Sequence, residues 1–241
     1  MPSGIPPSQF HVLPYANVGA GEPFVARVMI GLLEILGAAP YREVEKGKIR
    51  DSITGLGTEC LIPAFISLRE LRQTANRPDV PVLNKTKNFD DVYKYLWTAY
   101  KDRTQTTARL MGYDIGFLFQ KDSKFEEGCA AFPKANPDVS SELIRVMKIY
   151  RSTWQPELLR FRNDYLEHQT ISREAVAEFY SLEKAERMFA SVWIAIEEIL
   201  VLLIAAKLSL GITIRELSKS EQVTGIPKRF GFAWENQLPP K

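Results

Sequence analysis

The residues best equipped for chemistry stand together in Arg162-Asn163-Asp164-Tyr165-Leu166-Glu167-His168. His168 is one of only two histidines in the chain. A neutral imidazole moves protons near pH 7, and a guanidinium holds phosphate through paired N–H groups. Together they could break a phosphodiester. His168 would act as general base or acid on a ribose 2′-hydroxyl or the leaving oxygen. Arg162 would stabilise the charge on a pentavalent phosphorane. Asn163 could orient a phosphate or a water. Asp164 lies four residues before His168, so the two side chains can meet on a helix and the carboxylate would set the tautomer of the ring. Arg162 and His168 are six residues apart, about 240° around an ideal helix. They converge only if the helix ends near Glu167 and the chain turns.

A plainer reading stands beside this one. A histidine at a helix C-terminus is stabilised by the helix dipole whatever its role. Arg160, Arg162, Asp164 and Glu167 could be a solvated face with i,i+4 pairs. A metal site is not expected, because His11 and His168 are far apart with no cysteine or histidine close by. No cofactor is expected either. Gly19-Ala20-Gly21 and Gly55-Leu56-Gly57 do not match a phosphate-binding loop, since no strand precedes them and no Gly-Lys-Ser/Thr follows. One histidine per chain does not readily serve as both acid and base, so a homodimer pairing two sites is attractive.

The elements that must position these residues read as helices. Ile144, Met147, Tyr150, Trp154, Leu158, Phe161, Tyr165 and His168 recur at steps of three or four. Pro156 must kink this run or begin a new helix near Trp154. A second long helix is expected over about 173–209, ended by Gly211, with 212–218 a short addition. These two form a helical hairpin with a loop at 168–171. Further helices are expected after Glu22-Pro23, over about 56–75, and from a cap at Asn88 or Asp90 to Met111. Residues 76–81 read as a loop, 113–119 as a short piece, and 121–137 as a loop or a short broken helix because of Gly128, Pro133 and Pro137. The one strand candidate is 80–83. The expected fold is all-α, a helical bundle of long antiparallel helices with little or no β. An irregular N-terminal arm (1–21) precedes a single helical domain (22–241).

Composition bounds the function more loosely. The chain has 241 residues, 45% apolar and 25% charged, with a net charge of +2. That is an ordinary globular balance without the strong field of a general DNA or membrane binder. Residues 1–14 lack the charged and apolar regions of a signal peptide. The most apolar stretch, 192–206, holds Glu197 and Glu198, which would be costly in lipid; a buried bundle helix is expected, with one glutamate facing solvent and the other meeting an arginine. Cys60 and Cys129 have apolar or small neighbours and read as buried, reduced thiols in a cytoplasmic protein. Lys228-Arg229-Phe230-Gly231-Phe232-Ala233-Trp234 could stack RNA bases, or dock its aromatics on the bundle.

The Arg162-Asn163…His168 segment resembles the motif of HEPN domains: arginine, a polar residue, a short spacer, then histidine near the end of a helix in an α-helical bundle. The matching part covers roughly 138–210, and the first 130 residues do not align with a minimal bundle of that kind. The resemblance implies a dimer and, in active members, metal-independent RNA cleavage, often in toxin–antitoxin or antiviral systems. Arg162 and His168 would be catalytic, with Asn163 and Asp164 assisting. An antitoxin would then be a possible partner. Other members of the family only bind nucleotides or partners, so a non-catalytic binding protein of the same architecture is the alternative.

Overall fold

Glu45 starts the first long helix by accepting a hydrogen bond from the Arg42 backbone N–H at 3.1 Å, which satisfies a donor the helix leaves open. The computed structural model of the chain describes residues 11–14, 32–33, 35–37, 39–163, 181–208, 212–216 and 228–234. Residues 32–33 and 35–37 are helical, and Leu32, Ile35 and Leu36 are buried. Helix α1 (Glu43–Gly55) then runs through a π-helical turn (Leu56–Leu61) into α2 (Ile62–Thr74) without a break. The helix expected from Leu56 therefore begins earlier, at Glu43. The π turn has a local cause. Pro63 has no N–H and would crowd the carbonyl four residues back in an α-helix. The wider turn ahead of it bonds the Ile62 N–H to Gly57 O, five residues away.

Helix α3 (Val82–Trp97) likewise passes through a π turn (Thr98–Arg103) into α4 (Thr104–Leu110). It starts at Val82, not at a cap on Asn88 or Asp90, and this removes the strand expected at 80–83. Lys85 closes the loop by donating its Nζ to Ala75 O at 3.1 Å and Arg77 O at 2.7 Å. The two long helices pair as an antiparallel hairpin, with their π turns side by side. Ser52 Oγ and Thr107 Oγ1 share a hydrogen bond of 2.8 Å across it, and Arg103 pairs with Glu59 between the π turns.

A 3₁₀ turn (Gly116–Phe119) leads to α5 (Asp122–Ala135). The stretch expected over 121–137 as a loop or a short broken helix is thus mostly one helix. Phe125, Cys129 and Phe132 bury one face of it, and Pro133 lies inside its last turn, where it has no N–H to give the carbonyl four residues back. Helix α6 (Ser141–Ser152) is capped by Ser140, whose Oγ accepts from the Glu142 N–H at 3.2 Å. Helix α7 (Gln155–Phe161) restarts with Pro156 in its first turn, as the sequence predicts.

Helix α8 (Leu182–Ala205), the longest among the described residues, lies in the core against α2, α3, α4 and α6. By length and composition it could cross a membrane, yet 72% of its most apolar stretch is buried inside the fold. Being surrounded on so many sides, it leaves neither glutamate facing solvent: Glu197 is 1% exposed and Glu198 9%. Its C-terminal end is pinned where Lys207 Nζ and Tyr113 Oη reach Asp138 Oδ2 at 3.0 and 2.9 Å. Cys60 and Cys129 are buried free thiols, as expected, and burial pushes both above the usual thiol range.

The fold is all-α in class, with one small sheet among the described residues. Strand β1 (His11–Pro14) and strand β2 (Ile212–Glu216) flank β3 (Lys228–Trp234), and both pairings are antiparallel. His11 stands opposite Phe232, and Ile212 opposite Trp234. The arm at 1–21 therefore contains a strand. The segment expected as a short addition after Gly211 and the aromatic tail are strands too.

Candidate functional site

Helix α7 is short, and its burial decides which way Arg162 points. Leu158 and Phe161 face the core. The Phe161 ring lies 4.4 Å from Tyr93 and 5.7 Å from Phe89, both on α3. Tyr93 and Trp97 are four residues apart, so they share a face of α3. The residue after Phe161 thus meets the next turn of α3. The Arg162 guanidinium carbon sits 5.3 Å from the Trp97 ring centre, within cation–π range. Its Nη1 donates to Asn163 Oδ1 at 2.9 Å. Both Arg162 and Asn163 are half-buried, and Arg162 keeps right-handed helical backbone angles at the end of α7.

Trp97 carries a second cation. Lys101 Nζ lies 5.4 Å from the same ring centre. Its only close carboxylate among the described pairs is Asp102, at the outer limit of 4.0 Å. The Phe119 ring meets the indole nearly edge-on, at 6.4 Å and 81°. The site therefore joins an indole, a guanidinium, an ammonium and an amide, drawn from α3, its π turn and the end of α7. Such a set can hold a phosphate and present a flat surface beside it. Asp164 and His168 lie outside the described residues, as does the loop at 168–171.

Comparison of the chain with models of known protein families, with curated proteins and with solved structures gives no match.

Two other places have the residue types for a site. A cleft of about 410 Å³ opens between α4, the 3₁₀ turn and α5, lined by Gln105, Arg109, Asp114, Lys124 and Glu127 among others. Its four charges are paired, Arg109 with Asp114 at 3.6 Å and Lys124 with Glu127 at 2.7 Å. It offers a polar surface and no reactive arrangement. On the other side, Glu157 accepts from Tyr93 Oη at 3.3 Å and from Arg187 Nη2 at 3.4 Å, which ties α7 to α3 and α8. Among the described residues no group of three or more His, Cys, Asp or Glu could hold a metal ion. Sequence reasoning singled out Arg162 and Asn163, and these do stand together. It missed Trp97 and Lys101. Their i,i+4 spacing was visible, but their approach to Arg162 depends on how α7 packs on α3.

Proposed function

We propose that the protein is a HEPN-like endoribonuclease that needs no metal and acts as a homodimer, with Arg162 and His168 catalytic and Asn163 and Asp164 assisting. The observation that carries this reading is the state of Arg162. Its guanidinium is braced on Trp97 and tied to Asn163, and its side chain is not sealed into the core. A guanidinium held this way is preorganised for a charge that develops in a transition state. The ribose 2′-oxygen would attack the adjacent phosphorus, giving its proton to an imidazole. The 5′-oxygen would leave and take up a proton. The products are a 2′,3′-cyclic phosphate and a 5′-hydroxyl. Two protomers supply two imidazoles, one for each proton. Roles in toxin–antitoxin or antiviral defence would follow from the same chemistry.

The test is cleavage of single-stranded RNA in EDTA. The wild type should cut RNA but leave DNA intact, because DNA has no 2′-hydroxyl. Arg162→Ala should lower kcat by about 10²–10³, and His168→Ala by about 10²–10⁴, with unchanged far-UV circular dichroism. Arg162→Lys should recover little, since an ammonium cannot offer two parallel N–H groups. An intact RNA substrate, together with tight binding of a mononucleotide, would instead favour the non-catalytic binding protein. Wild-type cleavage by His168→Ala would end the proposal.

A further inference from the structure

The first 130 residues have no counterpart in the motif, yet they supply half of the Arg162 site. Trp97 holds two cations at nearly equal distance, Lys101 at 5.4 Å and Arg162 at 5.3 Å. The two charges are therefore no farther apart than the sum of these distances. A phosphate chain passing the indole would meet both cations. Lys101 is available for such a role. Its side chain is 34% exposed, and its pairing with the neighbouring Asp102 is loose at 4.0 Å. The helix that carries the indole changes its winding just past it. Lys101 lies in the π turn Thr98–Arg103, which starts directly after Trp97. Single π turns inside helices are found often at functional sites.

We propose that Trp97 and Lys101 form the strand-gripping half of this site. Lys101 binds a phosphate of a single RNA strand next to the one that Arg162 engages. Trp97 is a positioning residue that keeps the Arg162 guanidinium at its post. This inference rests on the ribonuclease reading and names how that same site holds its substrate. It also gives the N-terminal hairpin a purpose: α3 and its π turn carry both residues.

The experiment compares wild type, Lys101→Gln, Trp97→Leu and Trp97→Phe on a single-stranded RNA oligonucleotide. Binding is measured with its 2′-O-methyl analogue, which has no hydroxyl to attack. Lys101→Gln should raise KM and weaken binding about tenfold with kcat nearly kept, as for the loss of one hydrogen bond to a charged group. The slope of log affinity against log salt should shrink by about 0.7, the value for one phosphate contact on a single strand. Trp97→Leu should lower kcat while Trp97→Phe restores most of it, since a phenyl face also holds a guanidinium. Should Trp97→Leu fail to fold, Lys101→Gln decides alone. Wild-type KM, affinity and salt slope in Lys101→Gln would overturn the proposal and leave the nuclease reading standing. A wild type that neither binds nor cuts RNA would remove both.

Discussion

Gly128 and Gly47 should respond to the same substitution with opposite signs. Both are inside helices, Gly128 in α5 and Gly47 in α1. Replacing a helical glycine with alanine ordinarily gains about 1 kcal/mol, because glycine is the more flexible residue when unfolded. At Gly47 a new Cβ has nothing within 4 Å, so the gain should appear in full. At Gly128 the new Cβ would run into Phe117 Cβ, Cγ and Cδ2. A rotamer change cannot move Phe117 Cβ away, because that atom is fixed to the backbone of the 3₁₀ turn. The turn itself is held by Gln155, whose Nε2 donates to Leu118 O at 2.9 Å. The Phe117 ring is confined by Phe125 at 6.3 Å and Phe132 at 5.6 Å. Relief requires α5 and the turn to separate. Overpacking of this kind costs about 3 kcal/mol at the upper end of its usual range. Subtracting the propensity gain leaves a net loss of about 2 kcal/mol for Gly128→Ala. With a urea m-value of about 3 kcal/mol/M, the midpoint should fall by about 0.7 M. Gly47→Ala should raise it by about 0.3 M on the same scale. Equal shifts in the two variants, or a rise in Gly128→Ala, would refute the close approach of α5 to the 3₁₀ turn.

Three further outcomes follow from the packing. Burial acts to raise the Asp138 carboxyl, but hydrogen bonds from Lys207 and Tyr113 outweigh it and hold the group below its ordinary 3.8. A carboxylate depressed in the folded state stabilises above its unfolded pKa and loses that contribution as pH falls through the folded one. Asp138→Asn should therefore cost about 0.5–1 kcal/mol at about pH 7, discounted for exposure, and progressively less as the pH is lowered below the ordinary carboxylate range, in urea titrations. Arg72 Nε and Glu186 Oε1, 2.5 Å apart, join α2 to α8. A double-mutant cycle to alanine should give a coupling of about 0.5–1 kcal/mol that shrinks in about 1 M salt. Finally, a fragment spanning 138–210 should lack cooperative thermal unfolding, because the α2, α3 and α4 surfaces that cover α8 are missing. A sharp calorimetric transition in that fragment would contradict the packing.

What could be read in advance was local. The apolar steps of three and four over 144–161 give α6 and α7, and Pro156 marks the start of the second. The Pro-rich stretch 76–81 is indeed the turn between long helices. The errors arose where a residue answers to a distant neighbour. Gly128 was read as a helix breaker, but it is small because Phe117 lies against it. A π turn stands just ahead of Pro63, and its neighbours in sequence carry no sign of it. The sheet pairs His11–Pro14 with Lys228–Trp234, segments at opposite ends of the chain. The alternation of Lys228–Trp234 was visible as a pattern, but nothing nearby in sequence showed that it had strand partners. From sequence, Glu197 and Glu198 read as one solvent-facing and one arginine-paired group, and only the number of helices around α8 shows why both are covered.

The same distinction explains the site. Arg162 and Asn163 stood out because their types and order are local facts. Whether Arg162 is a solvated surface charge or a placed one is a tertiary fact, fixed by Phe161. That ring is 9% exposed and packs on Tyr93 and Phe89, and this leaves the next residue facing Trp97. A surface arginine of an ordinary helix would be free to sample many rotamers, and ordering it on a phosphate would cost entropy. Here the ordering is already done by an indole from another helix and an amide next door. Preorganisation of this kind contributes little to folding stability, since an exposed cation–π contact is worth only about 0.5–1 kcal/mol. It matters most to a group that must meet a negative charge in a defined place. That difference separates a placed arginine from a freely solvated one.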